Sequence, residues 1–168
     1  MTQLEERFRK IEAQKAALLG RVCALDVTER AKAPKTGEWS PLQVIAHLVL
    51  AEGLMAGEIE KAAGPEGRGA RPKPLTALMV PLLCGAMRAA LPMLPPPTME
   101  PPPTPDPLEA SEARWSELRA ALCARLESVA DPDARNFSLH PILGPISARQ
   151  ALDITEAHLT YHTKRFPR

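Results

Sequence analysis

The sequence predicts an all-α fold, a four-helix bundle with an accessory helix and a proline-rich crossover connection. Three observations lead there. Apolar residues recur at the 3.6-residue helical spacing through several long stretches. Two of those stretches open with a serine followed three residues later by glutamine, the signature of a capped helix start. Aromatic residues make up only 4% of the chain, so the core must be built from Leu, Ala, Val, Ile and Met, which favours packed helices over a β-sandwich.

The 168 residues are enough for one domain, 1–168, with a real core, and a hydrophobic share of 45% is ordinary for a globular protein. Lys plus Arg number 21 against 20 Asp plus Glu. A net charge of +1 gives no broad electrostatic footprint for nucleic acid or for an anionic membrane. Cys23, Cys84 and Cys123 are odd in number and scattered, which reads as reduced, mostly buried thiols in a cytoplasm and not as a disulfide framework. The charged start Met1-Thr2-Gln3-Leu4-Glu5-Glu6-Arg7 is no signal peptide. The longest apolar stretch, Pro74 to Met87, is too short to span a bilayer and is interrupted by Pro81.

Leu4, Phe8, Ile11, Leu18, Val22 and Leu25 mark a first amphipathic helix. Lys32 to Glu38, with Pro34 and Gly37, reads as a loop. Ser40 then caps a second helix, with Pro41 in the first turn, Gln43 at the capping-box position, and Trp39 and Val44 placed as a hydrophobic staple. This helix should run to about Lys61 and stop before Gly64-Pro65. Val44, His47, Ala51 and Leu54 share one row of it, so His47 faces inward.

Gly64 to Lys73 reads as loop. Leu75 to Leu91 reads as an accessory helix across the bundle, kinked or split at Pro81; its methionines belong to plain core more readily than to a ligand pocket. Nine prolines fall between Pro92 and Pro107, which rules out helix there and predicts an extended surface strap, a connector in preference to a partner-binding PxxP segment. Leu108, Trp115, Leu118, Leu122, Leu126 and Val129 give a third strong face, ended by Asp131-Pro132-Asp133. Asn136 to Pro145 reads as a loop. Ser147, with Gln150, caps the last helix, on which Ala151, Ile154, Thr155, His158, His162 and Phe166 share a face.

His158 and His162 stand four apart, and on a helix such residues lie one above the other, roughly 6 Å apart. They can bind one divalent ion together, and His47 is the natural third ligand. Neutral imidazole suits zinc, nickel, copper or ferrous iron. Three imidazoles leave a coordination position open, as catalytic sites do, for a water acidified to a pKa of roughly 7 or for a thiol held as thiolate. The competing reading is a core in which the histidines bond to one another, to carbonyls or to threonines. Both histidine rows continue core rows, and that favours metal. Glu52, Thr155 and Glu156 are candidates to orient the rings from behind. His140, beside Pro141, reads as structural or exposed, and Tyr161 as a packing residue.

Taken together, Trp39-Ser40-Pro41-Leu42-Gln43-Val44-Ile45-Ala46-His47-Leu48, His140-Pro141-Ile142-Leu143-Gly144-Pro145-Ile146-Ser147 and His158-Leu159-Thr160-Tyr161-His162 resemble the DinB-like (YfiT-like) superfamily of metalloenzymes. The likeness runs from the first helix to His162. It implies a four-helix bundle with a long crossover in a non-standard helix order, often a homodimer. It implies a divalent metal, commonly nickel or zinc, with iron or manganese as further choices, on the positions held here by His47, His158 and His162. Related members are transferases or isomerases that use low-molecular-weight thiols such as bacillithiol or mycothiol. Three functional readings follow: a metal-dependent thiol S-transferase in detoxification or stress response, a metal-dependent hydrolase, and a non-catalytic metal-binding stress-response bundle.

Overall fold

The computed structural model describes residues 2–65, 75–93, 105–134 and 136–166. Helix α1 spans Gln3–Cys23, α2 Val27–Ala31, α3 Pro41–Ala63, α4 Thr76–Arg88, α5 Leu108–Glu127 and α6 Ala148–Arg165. A two-stranded antiparallel hairpin, β1 (Ser138–His140) and β2 (Gly144–Ile146), precedes α6. Four helices make the bundle: α1 packs on α5 and α6, and α3 packs on α5 and also meets α6. The accessory helix α4 lies along α6, and β1 lies against α3. This is the all-α bundle expected of the sequence.

Four helices start on a complete capping box. Thr2, Asp26, Ser40 and Ser147 each receive the backbone of the third helical residue, and Glu5, Glu29, Gln43 and Gln150 answer back. Each such cap is worth on the order of 1 kcal/mol and fixes where its helix begins. For α3 and α6 that start also fixes which residues face inward, and so aims the histidines. The core is mostly aliphatic, with Ile11, Leu18, Ile45, Leu48, Leu152 and Leu159, and takes in the aromatics Trp115, Phe137 and Phe166.

A charged layer crosses this core. Arg119 of α5, 2% exposed, donates from Nε and Nη2 to the two oxygens of Glu52 on α3, both at 2.6 Å. Two buried charges in a fork-to-fork pair lose their hydration but keep their hydrogen bonds, and removing one partner strands the other. Burial pushes the Glu52 carboxyl above the usual range against the pull of Arg119. On the far side Arg88 of α4 donates to Glu156 of α6 at 2.7 Å, and Asp153 of α6 pairs with Arg7 of α1. Lys164 and Arg165 of α6 donate to the carbonyls of Arg88 and Ala90, covering the C-terminal end of α4.

Several expectations need correction. The first helix ends at Cys23, and α2 follows as a separate turn-length helix on its own Asp26 cap. The Asn136 to Pro145 segment is not simply a loop. Ser138, Leu139 and His140 pair with Ile146, Pro145 and Gly144, and His140 Nδ1 accepts from the amides of Ile142 and Leu143, at 3.3 Å each, to hold the turn. His140 is thus structural. α4 runs on through Pro81, whose ring lies on the exposed side. Leu54 is 45% exposed, because the α3 row that starts at Val44 and His47 rotates out of the core two turns on. Of the cysteines, Cys84 is buried, Cys123 half-buried and Cys23 exposed, all as free thiols.

Helix α3, with a mean hydropathy of 1.4, is long and apolar enough to cross a membrane by length and composition. The buried His47 and the Glu52–Arg119 pair give it the features of a bundle core helix. The proline strap predicted from Pro92 to Pro107 and the loop from Gly64 to Lys73 fall largely outside the described residues.

Candidate metal centre

His47 comes from the second turn of α3, and His158 and His162 from the last three turns of α6. The three imidazoles converge. His158 Nε2 lies 3.1 Å from His47 Nε2 and 3.1 Å from His162 Nε2. The ring centroids are 5.1, 4.8 and 4.8 Å apart, and no two rings are coplanar. His47 and His162 are buried, and His158 is half-buried. These three are the residues that the sequence singled out, and the structure brings all of them together.

Burial holds each ring neutral. It lowers His47 to about 4 and, with the neighbouring His47 ring adding to it, His158 to about 3. His162 falls to about 2, from burial first and from the other two imidazoles and Arg165 after it. At neutral pH all three therefore carry a free lone pair, the form that binds a metal.

Trp39 completes the site, and the sequence reading gave it only a capping role. Its ring lies 4.5 Å from that of His47 and is stacked on His162, with 6.0 Å between centroids and 6° between planes. One indole thus braces a ring from α3 and a ring from α6. The Ser40 capping box, immediately after it, sets its position. Tyr161 also reaches the cluster, with its ring edge-on to His162 at 5.0 Å, and is held from the other side by Arg165. The residues proposed to stand behind the rings are engaged elsewhere: Glu52 with Arg119, Glu156 with Arg88 and Thr160, and Thr155 with the Ala151 carbonyl. His47 Nδ1 is buried with no hydrogen-bond partner among the described residues.

A family model described as the DinB superfamily matches residues 10–164. The chain belongs to the DinB superfamily. The matched span holds all three histidines and every helix of the bundle except the first turns of α1. Comparison with curated proteins found no match, and neither did comparison with solved structures.

In this DinB-superfamily chain the donor set fits a cation. A neutral imidazole Nε2 offers either one N–H or one lone pair. His158 Nε2 faces two other Nε2 atoms, so one N–H can serve only one of them, or one lone pair must be shared between two donors. A bound ion would accept all three lone pairs at once. Separations near 3.1 Å also suit nitrogens on a common ion, since two ligands about 2.0–2.1 Å from a tetrahedral zinc stand roughly 3.3 Å apart. His47, His158 and His162 could therefore hold a metal ion, with all their candidate ligand atoms within 4.8 Å of one another.

Proposed function

We propose that this protein is a divalent-metal-dependent enzyme that transfers a low-molecular-weight thiol onto an electrophile, in detoxification or stress response. The convergence of three neutral, buried Nε2 atoms supports the reading most directly. Nickel or zinc suits three imidazoles best, with iron or manganese as further choices. Three protein ligands leave room for a small molecule, and a bound divalent ion would favour the thiolate over the thiol there. The thiolate sulfur then forms a bond to an electrophilic carbon, the leaving group departs with its electron pair, and the thiol proton goes to solvent.

The chain itself supplies placement. His47, His158 and His162 stay neutral and hold their lone pairs inward. The Trp39 indole packs against the His47 and His162 rings on one side of the cluster. The Arg88–Glu156 pair ties α6 to α4, and Thr160, donating to the other Glu156 oxygen from within α6, fixes that carboxylate on the helix that carries two of the rings. The same reading puts the protein in the cytoplasm, where its free cysteines stay reduced, and makes it a homodimer, as the resemblance implies.

The test follows thiol loss when metal-loaded protein meets a generic electrophile, with His158→Ala beside it. The wild type depletes the thiol and the variant does not. Equal rates in both would remove the imidazole cluster from the reaction. Full metal loading with no thiol consumption and no ester hydrolysis would leave a non-catalytic metal-binding bundle.

A further inference from the structure

Helix α4 is apolar on both of its sides. From Leu75 to Met87 the chain has no charged residue, and Thr76, the one hydroxyl there, is buried. Thr76, Val80 and Cys84 form the buried side, where α4 lies along α6. Leu75, Leu78, Met79 and Leu82 are between 43% and 65% exposed. Their spacing, i, i+3, i+4 and i+7, puts them on a single stripe. Ala77, Pro81 and Gly85 are exposed beside that stripe and add no polar group to it. A helix that docks one face on a bundle ordinarily turns charged residues to water on the other, and a helix apolar all round is a buried one. α4 has the composition of a helix covered on two sides and is covered on one.

Three features of this face fit a second copy of the same chain. The first is symmetry. In an antiparallel pair of α4 helices, Leu75 meets the partner's Leu82 and Leu78 meets the partner's Met79, and each contact is repeated by the twofold axis between Leu78 and Met79, as an isologous interface requires. The second is charge. Arg88, the only charged residue of α4, is committed to Glu156 and stands at the end of the helix. Antiparallel pairing keeps the two Arg88 cations roughly 30 Å apart and opposes the two helix dipoles. A helix that lies on a lipid surface instead carries a face rich in Lys and Arg, which α4 does not have. The third is area. The exposed side chains of the helix present roughly 500–600 Å², close to the 600 Å² or so per partner at which stable interfaces begin. Two further apolar residues stand at its ends and enlarge it. Leu91, 53% exposed, follows the C-terminus, and Ile142, 65% exposed, lies in the hairpin turn whose Leu143 carbonyl accepts from Thr76 Oγ1 at 2.6 Å.

We infer that the outer stripe of α4 is the interface of a twofold dimer, with the α4 helices of two copies packed antiparallel through Leu75, Leu78, Met79 and Leu82. The inference rests on the homodimer part of the proposed function and gives that dimer its surface. The thiol chemistry does not enter it.

Sedimentation velocity of the full chain tests it. At about 50 µM the wild type sediments as a dimer that dissociates on dilution. Leu78→Glu places a carboxylate in the middle of the seam and weakens the dimer by about 100-fold or more, and Leu82→Glu does the same from a second position. Both sites are exposed in the single chain, so circular dichroism shows each variant with its helices intact. Val27→Glu, on α2, which packs on α3, leaves the dimer as it is. A wild type that stays monomeric at this concentration would overturn the inference together with the homodimer reading. A dimer that survives both Leu78→Glu and Leu82→Glu would overturn the inference alone. A monomer that floats with vesicles of phosphatidylcholine and phosphatidylglycerol, and is released from them by Leu78→Glu, would assign the stripe to a lipid surface instead and so overturn it too.

Discussion

Replacing Trp39 by leucine removes the brace across the imidazoles while keeping an apolar residue before the Ser40 cap. The indole stacks on His162 and packs on His47 at 4.5 Å, so two ring pairs are lost. Aromatic pairs of this kind are worth about 0.5–1.5 kcal/mol beyond their buried area. Two of them make about 1–3 kcal/mol, which is roughly a 5- to 150-fold loss of metal affinity if the rings lose their alignment when the indole goes. Competition against a chromogenic chelator, run with zinc and with nickel, reads that loss. The visible spectrum of the cobalt-loaded protein reads the change in ligand geometry. Urea unfolding of the metal-free variant separates folding from binding: a residue that only supports the fold lowers both loaded and metal-free stability and leaves affinity alone. Trp39→Phe keeps a stacking ring and restores most of the affinity. A Trp39→Leu protein that binds either metal within about twofold of wild type would refute the reasoning, because the worked range begins near fivefold.

Other consequences are as specific. The three histidines are held below the ordinary value of 6.5, so the unfolded chain takes up their protons first as pH falls. Stability of the metal-free protein is therefore complete above about 6.5 and is lost as pH drops toward about 4, by up to about 1.4 kcal/mol per pH unit for each ring. Thermal unfolding between pH 7.5 and 5 checks this, and a flat profile counts against neutral buried rings. Arg119→Leu strands Glu52 in the core and costs about 3–5 kcal/mol in urea unfolding, and adding Glu52→Leu recovers most of it. Ala90 sits just past the end of α4 with φ of 54°, where glycine is the usual residue. Ala90→Gly is expected to stabilise by about 0.5–1 kcal/mol, read as a rise in the urea midpoint.

What was legible in the sequence was what is local. The Ser40–Gln43 and Ser147–Gln150 boxes are four-residue patterns, and each aims a helix whose inward row then follows from the 3.6-residue period. This is why the sequence pattern alone groups His47, His158 and His162. The same box at Asp26–Glu29 went unread because the five-residue helix after it is too short to show periodicity. The hairpin was missed for a similar reason: three residues per strand give no alternation to detect. Contacts between distant segments were the least legible. Glu52 and Arg119 each stand out as a charge on an apolar face, but only packing shows that they meet each other and not the histidines. Trp39 carried a usable signal, a tryptophan directly before a capped helix that bears an inward histidine. Its stacking on His162, more than a hundred residues away, depends on how α3 and α6 approach.

Metal stoichiometry tests the central claim most directly. Elemental analysis of protein purified without added metal, repeated after soaking with zinc and nickel, should find about one divalent ion per chain in the wild type and almost none in His158→Ala. A wild-type protein that holds no transition metal in near-stoichiometric amount, even after soaking, would contradict it.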